Sequence, residues 1–148
     1  MKLLLLLLLL ALTACGVRPT APIPGGPAPI EEVTEGRVLY LLRGATLTRV
    51  VRPPERTPSL DLLAAGPTSL ELAEGLTTEI PPYAAPITAV QGEDGITVRI
   101  SAALKYLSPQ ARSQLVCTAI PPGESLATPV TLTDPTEKLL PLTCPFDA

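Results

Sequence analysis

Prolines divide this chain into short segments and so limit the elements that it can form. There are 19 among 148 residues, and each fixes φ, lacks a backbone N–H and tends to end a helix or a strand ladder. They are dense in residues 16–35, a stretch without apolar periodicity that contains Pro19, Pro22, Pro24, Pro27 and Pro29. We therefore predict a stalk over residues 15–35, which as polyproline-like chain at about 3.1 Å per residue would span up to roughly 60 Å. A solvated tether is favoured over a proline-motif docking site.

The segment before the stalk is dominated by leucine. Eight consecutive leucines occupy residues 3–10, Lys2 precedes them, and the apolar run ends at Leu12. Ten helical residues span about 15 Å, whereas the hydrocarbon core of a bilayer is about 30 Å thick. The run is therefore short for a transmembrane helix and has the length typical of the hydrophobic region of a signal peptide. We predict a signal peptide over residues 1–14.

A short motif follows the leucine run directly. Leu12-Thr13-Ala14-Cys15 resembles the lipobox of bacterial lipoproteins. The resemblance implies cleavage before Cys15, a diacylglyceryl thioether on its sulfur, and a location at the extracytoplasmic face of the cell membrane. Stable anchoring takes more than one acyl chain. The alternative is an ordinary secretory signal followed by a chance cysteine.

Strand patterns dominate the first part of the remaining chain. Residues 37–43, RVLYLLR, form a continuous apolar run and predict a buried strand. Residues 46–52 are rich in β-branched side chains and predict its hairpin partner. A second hairpin is predicted over 87–90 and 96–100, because Ile96, Val98 and Ile100 alternate with polar residues. Short strands are also expected at 76–80 and 129–133.

Helix signals lie between and after these strands. We expect Thr57 as the N-cap of a first helix that ends at Gly66, and a capping box between Thr68 and Glu71 that begins a second. A third helix is predicted at 110–120, after the cap Ser108 and a first-turn proline. Its predicted buried face consists of Ala111, Leu115, Thr118 and Ala119. Residues 36–133 are therefore expected to form one small α+β domain, a mixed or antiparallel β-sheet with two to three helices packed on it.

Three stretches of this domain carry a family resemblance. VLYLLRGATLTRVVRPP, LDLLAAGPTSLELAEGLTTEIPP and ITVRISAALKYLSPQARSQLVCTAI together resemble the sporulation and spore-germination (GerMN-type) domain. The resemblance covers residues 37–120 and implies a mixed sheet with helices packed on it. It also implies a protein–protein assembly module of the kind found in envelope lipoproteins and sporulation proteins.

Two cysteines remain once Cys15 is assigned to lipid. Outside the cytoplasm an even number of cysteines suggests pairing, so we predict a disulfide between Cys117 and Cys144. Closing a loop of about 28 residues would stabilise the fold by roughly 3–4 kcal/mol in the chain-entropy model. It would also hold the proline-broken tail, residues 134–148, which we expect to be loosely ordered. Two free thiols or a redox pair are the alternatives, although no CxxC spacing supports the latter.

Composition excludes several classes of chemistry. The chain has no histidine, which removes the Ser-His-Asp and Cys-His nucleophile systems and the usual zinc ligand. Its 11 basic and 14 acidic residues give a net charge of −3, without the basic stripe that nucleic acid requires. We therefore predict no nucleic-acid partner, catalytic residue, cofactor or metal site.

Few residues are candidates for a functional role. Glu93 and Asp94 are the adjacent acids of the folded part, and exposed turn acids are favoured over a metal or hydrolase site. Tyr83, between Pro82 and Ala84 in a loop, is the candidate interface anchor, with simple packing as the alternative. The favoured function is an envelope lipoprotein that binds an envelope protein or assists sporulation, germination or wall-related machinery. A lipoprotein that binds a small ligand or wall fragment is the second hypothesis, and a carboxylate-based hydrolase the third.

Overall fold

The computed structural model describes residues 36–146. The predicted signal peptide, Cys15 and the stalk therefore lie outside the described residues. Within this range the elements are β1 (Arg37–Arg43), β2 (Thr46–Arg52), α1 (Ser59–Ala65), α2 (Ser69–Ala73), β3 (Leu76–Thr77), β4 (Thr88–Gly92), β5 (Gly95–Arg99), α3 (Pro109–Ala119) and β6 (Val130–Thr133). Short 3-10 turns occupy Pro82–Ala84 and Leu104–Tyr106. The expected small α+β class is confirmed, with the strands divided between two three-stranded sheets.

The first sheet has the order β2-β1-β3 and the second the order β4-β5-β6. Both predicted hairpins, β1–β2 and β4–β5, are present as antiparallel pairs. β5 and β6 run parallel, and α3 provides the crossover that a parallel pair requires. Their pairing begins where the Ile96 N–H donates to the Pro129 carbonyl. A side chain at Gly95 would clash with that carbonyl, and the φ of +116° at Gly95 also favours glycine.

β1 is buried on both faces, as its continuous apolar run predicts. Leu39 and Leu41 join the main core. Val38 and Tyr40 point into a second cluster with Cys117, and the Tyr40 and Phe146 rings meet edge to face with centroids 5.0 Å apart. The tail therefore covers the second face of β1. The expectation of a loosely ordered tail is wrong for the described residues, because these contacts and the pairing of the tail with β6 hold it.

Helix α3 takes the place of a strand along part of one edge of β1. β3 pairs with the end of β1 only, at Leu42 and Arg43. Farther back, the Tyr40 N–H donates to Thr118 Oγ1 over 3.0 Å, and Gln114 Nε2 donates to the Tyr40 carbonyl over 2.9 Å. Two side chains of one helix thus satisfy both backbone groups of a buried strand residue, as burial demands.

Most helix ends follow their local signals. The capping box is present: the Glu71 N–H donates to Thr68 Oγ1 over 3.3 Å, and the Thr68 N–H donates to Glu71 Oε2 over 2.6 Å. α3 begins after Ser108 as predicted. The expected Thr57 cap is wrong, because Pro58 has an extended ψ of 147° and is itself the N-cap residue of α1.

Some boundaries and burial assignments also differ from expectation. β3 is limited to two residues, and β4 is displaced toward the hairpin turn. In α3, Ala111, Leu115 and Thr118 are buried as predicted, whereas Ala119 is only half-buried.

None of the helices in residues 36–146 has the length and apolar character needed to span a membrane.

Candidate interaction site

The residues singled out from sequence do not converge on one site. Tyr83 lies on the turn Pro82–Ala84 and is 71% exposed. Glu93 and Asp94 lie exposed in the β4–β5 turn. No group of three or more potential metal-ligating side chains occurs within residues 36–146.

Cys117 and Cys144 do come together. The structure joins them as a disulfide with their Cα atoms 4.8 Å apart, inside the usual range. Cys117 is fully buried near the end of α3, whereas Cys144 belongs to the tail, and its N–H donates to the Leu126 carbonyl over 3.2 Å. The bond fastens the tail to the helix that borders β1.

An open groove runs between the edge strand β2 and the short helix α2, with a volume of about 780 Å³. We call it the β2–α2 groove. Its lining residues are Arg43, Thr48, Arg49, Val50, Val51, Arg52, Pro53, Glu55, Thr68, Leu70, Glu71, Glu74 and Leu76. Tyr83 is not among them.

A buried ion pair supports this groove. Arg52 donates from Nε to Glu71 Oε1 over 3.0 Å and from Nη2 to Glu71 Oε2 over 2.6 Å. Arg52 Nη2 also donates to the Gly66 carbonyl over 2.9 Å, and Glu71 Oε2 accepts from the Thr68 N–H. The pair therefore ties the end of β2 to the end of α1 and to the start of α2.

The ionisation of Glu71 follows from these bonds. The Arg52 hydrogen bond holds the pKa of the Glu71 carboxyl below its usual range, against the opposing effect of burial, and the Thr68 N–H lowers it further. The carboxylate is thus charged at neutral pH and occupied by its partners. It is suited to positioning α2 rather than to donating a proton.

The orientation of α2 is inverted relative to an ordinary surface helix. Its acidic residue, Glu71, is buried, whereas Leu70 is 78% exposed and Leu72 is 56% exposed. Across the groove on β2, Val51 is 55% exposed. The bidentate pair with Arg52 and the capping box together turn the carboxylate inward, which leaves both leucines facing outward.

Charges of both signs surround these apolar side chains. Arg43 and Glu74 form an exposed ion pair at 3.9 Å. Arg49 and Glu55 are also exposed and line the same groove. Exposed apolar side chains with charged neighbours are a feature that protein interfaces share.

The other strongly perturbed acid has a structural environment. Asp134 accepts from the backbone N–H groups of Leu104, Thr136 and Glu137 over 2.7, 2.6 and 2.8 Å, and from the Thr136 hydroxyl. The Leu104 bond is the main cause that lowers the pKa of the Asp134 carboxyl far below its usual range, despite the opposing effect of burial. This carboxylate holds the turn after β6 against the 3-10 turn that precedes α3.

Sequence reasoning missed the residues that shape the site. From sequence, Arg52 is predicted only to end a strand, and Glu71 only to take part in a helix cap. The sequence does contain one signal for these residues. The five-residue helix has a single capping-box acid between two leucines, and the acid and the leucines cannot all face inward.

Comparison with known proteins finds no family model that matches the chain, no similar curated protein and no similar solved structure.

Proposed function

We propose that this chain is a lipoprotein, anchored through Cys15 at the extracytoplasmic face of the cell membrane. Its GerMN-type domain would bind a protein partner of the envelope, in assembly related to sporulation, germination or the cell wall. The proposal includes no catalytic residue. The lipobox-like Leu12-Thr13-Ala14-Cys15 motif and the three GerMN-like stretches support it from sequence.

One structural observation carries the interaction part of the proposal. α2 buries its only acid and exposes Leu70 and Leu72, and Leu70 faces the β2–α2 groove. Leu70 and Val51 are exposed apolar side chains of the same groove, and an apolar groove with a charged rim is a feature of interaction sites. The buried Arg52–Glu71 pair holds α2 in place beside β2, so a partner would meet a preorganised groove and lose little ordering entropy on binding.

The anchor is tested by Cys15→Ala. We expect this variant to remain unprocessed or to leave the membrane fraction, because it lacks the sulfur that would carry the lipid. The unchanged chain in the same cells is the reference. A processed Cys15→Ala protein that stays in the membrane would overturn the lipoprotein assignment.

The interaction surface is tested by Leu70→Glu. Leu70 is exposed and lies in the first turn of α2, where a carboxylate is favourable, so the fold should be retained. We expect crosslinking in intact cells followed by affinity capture to recover a partner with the unchanged chain and to lose it with Leu70→Glu. Tyr106→Glu is the matched control, because Tyr106 is 78% exposed, like Leu70, and lies outside the groove. Equal recovery of the partner with the unchanged chain and both variants would refute the proposal that Leu70 belongs to the interaction surface.

A second candidate function, binding of a small ligand or wall fragment, rests on another groove. It lies between α3 and the tail, has a volume of about 570 Å³ and is lined mainly by apolar side chains, among them Val116, Leu139, Leu140 and Leu142. Arg112 also lines it; its Nη2 donates to the Leu104 carbonyl over 3.1 Å, while its buried Nε has no hydrogen-bond partner among residues 36–146.

A ligand with an apolar body and one acceptor group would fit this groove, whose size is that of small-molecule sites. The test is native mass spectrometry of the protein purified from its own membrane. A bound small molecule that is retained by the unchanged chain and lost from Arg112→Met supports this function. Protein that carries no such molecule contradicts it.

A further inference from the structure

Three of the four outer sheet edges are unsuited to pairing with another strand. β3 is only two residues long. β6 is paired on its outer side with the tail, through Val130 with Leu142 and Thr133 with Lys138. β2 carries Arg49 at its centre, and charged residues are the usual protection of an exposed edge.

β4 has none of these protections. It consists of Thr88–Gly92, TAVQG, with no charge and no proline, and all five residues are exposed. Val90 is 65% exposed. Within residues 36–146, β4 makes no backbone hydrogen bonds except those to β5. An open, uncharged edge exposed on both faces is a template for strand addition.

We propose that β4 pairs with β4 of a second copy of this chain, in antiparallel orientation about a two-fold axis at Val90. In this register Val90 lies opposite Val90 of the copy, Ala89 opposite Gln91, and Thr88 opposite Gly92. No like charges face each other, and two β-branched side chains meet at the axis. The same operation on β2 would oppose Arg49 to Arg49, which is unfavourable.

The charges around β4 are complementary to this arrangement. Arg99 is exposed on β5 directly across from Thr88. The copy's Gly92 would sit on the other side of Thr88, two strand spacings or about 10 Å from Arg99. The exposed acids Glu93 and Asp94 of the copy follow that glycine and lie within reach of the arginine. The symmetry repeats the contact, and such exposed pairs fix register and orientation more than they add affinity.

The ladder is short, so the pairing is weak in solution. Five residues bury much less than the roughly 1,600 Å² of a stable interface. Confinement to a membrane raises the effective concentration of the two copies and compensates for this. This last step rests on the lipid anchor of the proposed function, whereas the pairing geometry does not.

The experiment is site-specific disulfide crosslinking of the full chain in intact cells. Val90→Cys places two thiols directly opposite each other at the axis, where a bond can form. Thr88→Cys is the matched control on the same strand, because its two copies would lie about 14 Å apart along the ladder. After mild oxidation and non-reducing electrophoresis, we expect about tenfold more covalent dimer from Val90→Cys than from Thr88→Cys, since the control distance is too long for a disulfide.

Dimer from both variants in similar amounts, or from neither, would overturn the proposal. As a second measurement, two differently tagged copies are co-purified: Val90→Lys should abolish their association, and Tyr106→Lys should not, because Tyr106 is exposed and lies outside both β4 and the β2–α2 groove. Membrane fractionation of the same samples tests the anchor separately. If the protein is not membrane-bound, the position-dependent crosslink is repeated on concentrated purified protein, so that failure of the anchor and failure of the pairing are distinguished.

Discussion

The side chain of Gln114 connects three parts of the fold, and its replacement by leucine has a predictable cost. Gln114 is fully buried; it donates to the Tyr40 carbonyl and accepts from the Glu79 N–H, each over 2.9 Å. Gln114→Leu leaves the buried Tyr40 carbonyl and the part-buried Glu79 N–H without this partner. Each such loss costs about 1–3 kcal/mol, and the apolar burial of leucine offsets part of it. We expect the free energy of unfolding to fall by about 3 kcal/mol, of a total on the order of 5–15 kcal/mol.

Urea unfolding followed by circular dichroism measures this loss, and the melting temperature should fall by roughly 10–20 °C. Gln110→Leu is the matched control, because Gln110 is on the same helix and its amide makes no side-chain hydrogen bond within the described part of the chain. If Gln114→Leu does not fold, Thr118→Val tests the neighbouring bond to the Tyr40 N–H with a smaller loss of about 1–2 kcal/mol. A Gln114→Leu protein within about 0.5 kcal/mol of the control would refute the reasoning.

Three further predictions concern stability. Replacing Cys117 and Cys144 together by serine should lower the free energy of unfolding by about 3–4 kcal/mol, measured by urea unfolding against the oxidised protein. The pKa values of Glu71 and Asp134 are lowered by folding, so their stabilisation is complete above the usual carboxyl pKa of about 4 and is lost as pH falls below it. The urea midpoint should therefore decline below pH 4, and Glu71→Gln should reduce that decline; an unchanged slope would contradict the assignment. Gly95→Ala should lower the free energy of unfolding by about 1–3 kcal/mol or more, because it adds a clash with the Pro129 carbonyl to an unfavourable φ. A melting temperature equal to that of the unchanged protein would contradict this.

The local elements of the fold could be predicted because their signals are local. The alternation around Val98 and the glycine-flanked turn predict the β4–β5 hairpin, and the spacing of Thr68 and Glu71 predicts a cap. Gln114 could not be assigned its role, because its partners are 35 and 74 residues away in sequence. Its position among Ala111 and Leu115 was a usable signal, since a polar residue on an apolar face requires partners.

The candidate site was predicted less well, for a related reason. A five-residue helix is too short for periodicity to indicate which side faces the core. The outcome for α2 depends on Arg52, 19 residues earlier, whose bidentate bonds hold the Glu71 carboxylate inward. The position of Tyr83 in a loop next to a proline suggests an interface anchor; the structure places it exposed but outside the β2–α2 groove.

The disulfide links the proposed location of the protein to the completion of its core. β1 is paired with β2, bordered by α3 and packed on the main core, but its second face is covered by a cluster that includes both cysteines and Phe146. Without the bond, bringing Cys144 back to Cys117 means ordering the chain between two residues whose sequence separation is 27, at an entropic cost that grows with loop length. In an oxidising compartment the cross-link removes this cost from folding. The proposed location on the extracytoplasmic side of the membrane would therefore favour formation of the smaller core cluster, which contains Val38, Tyr40 and Cys117.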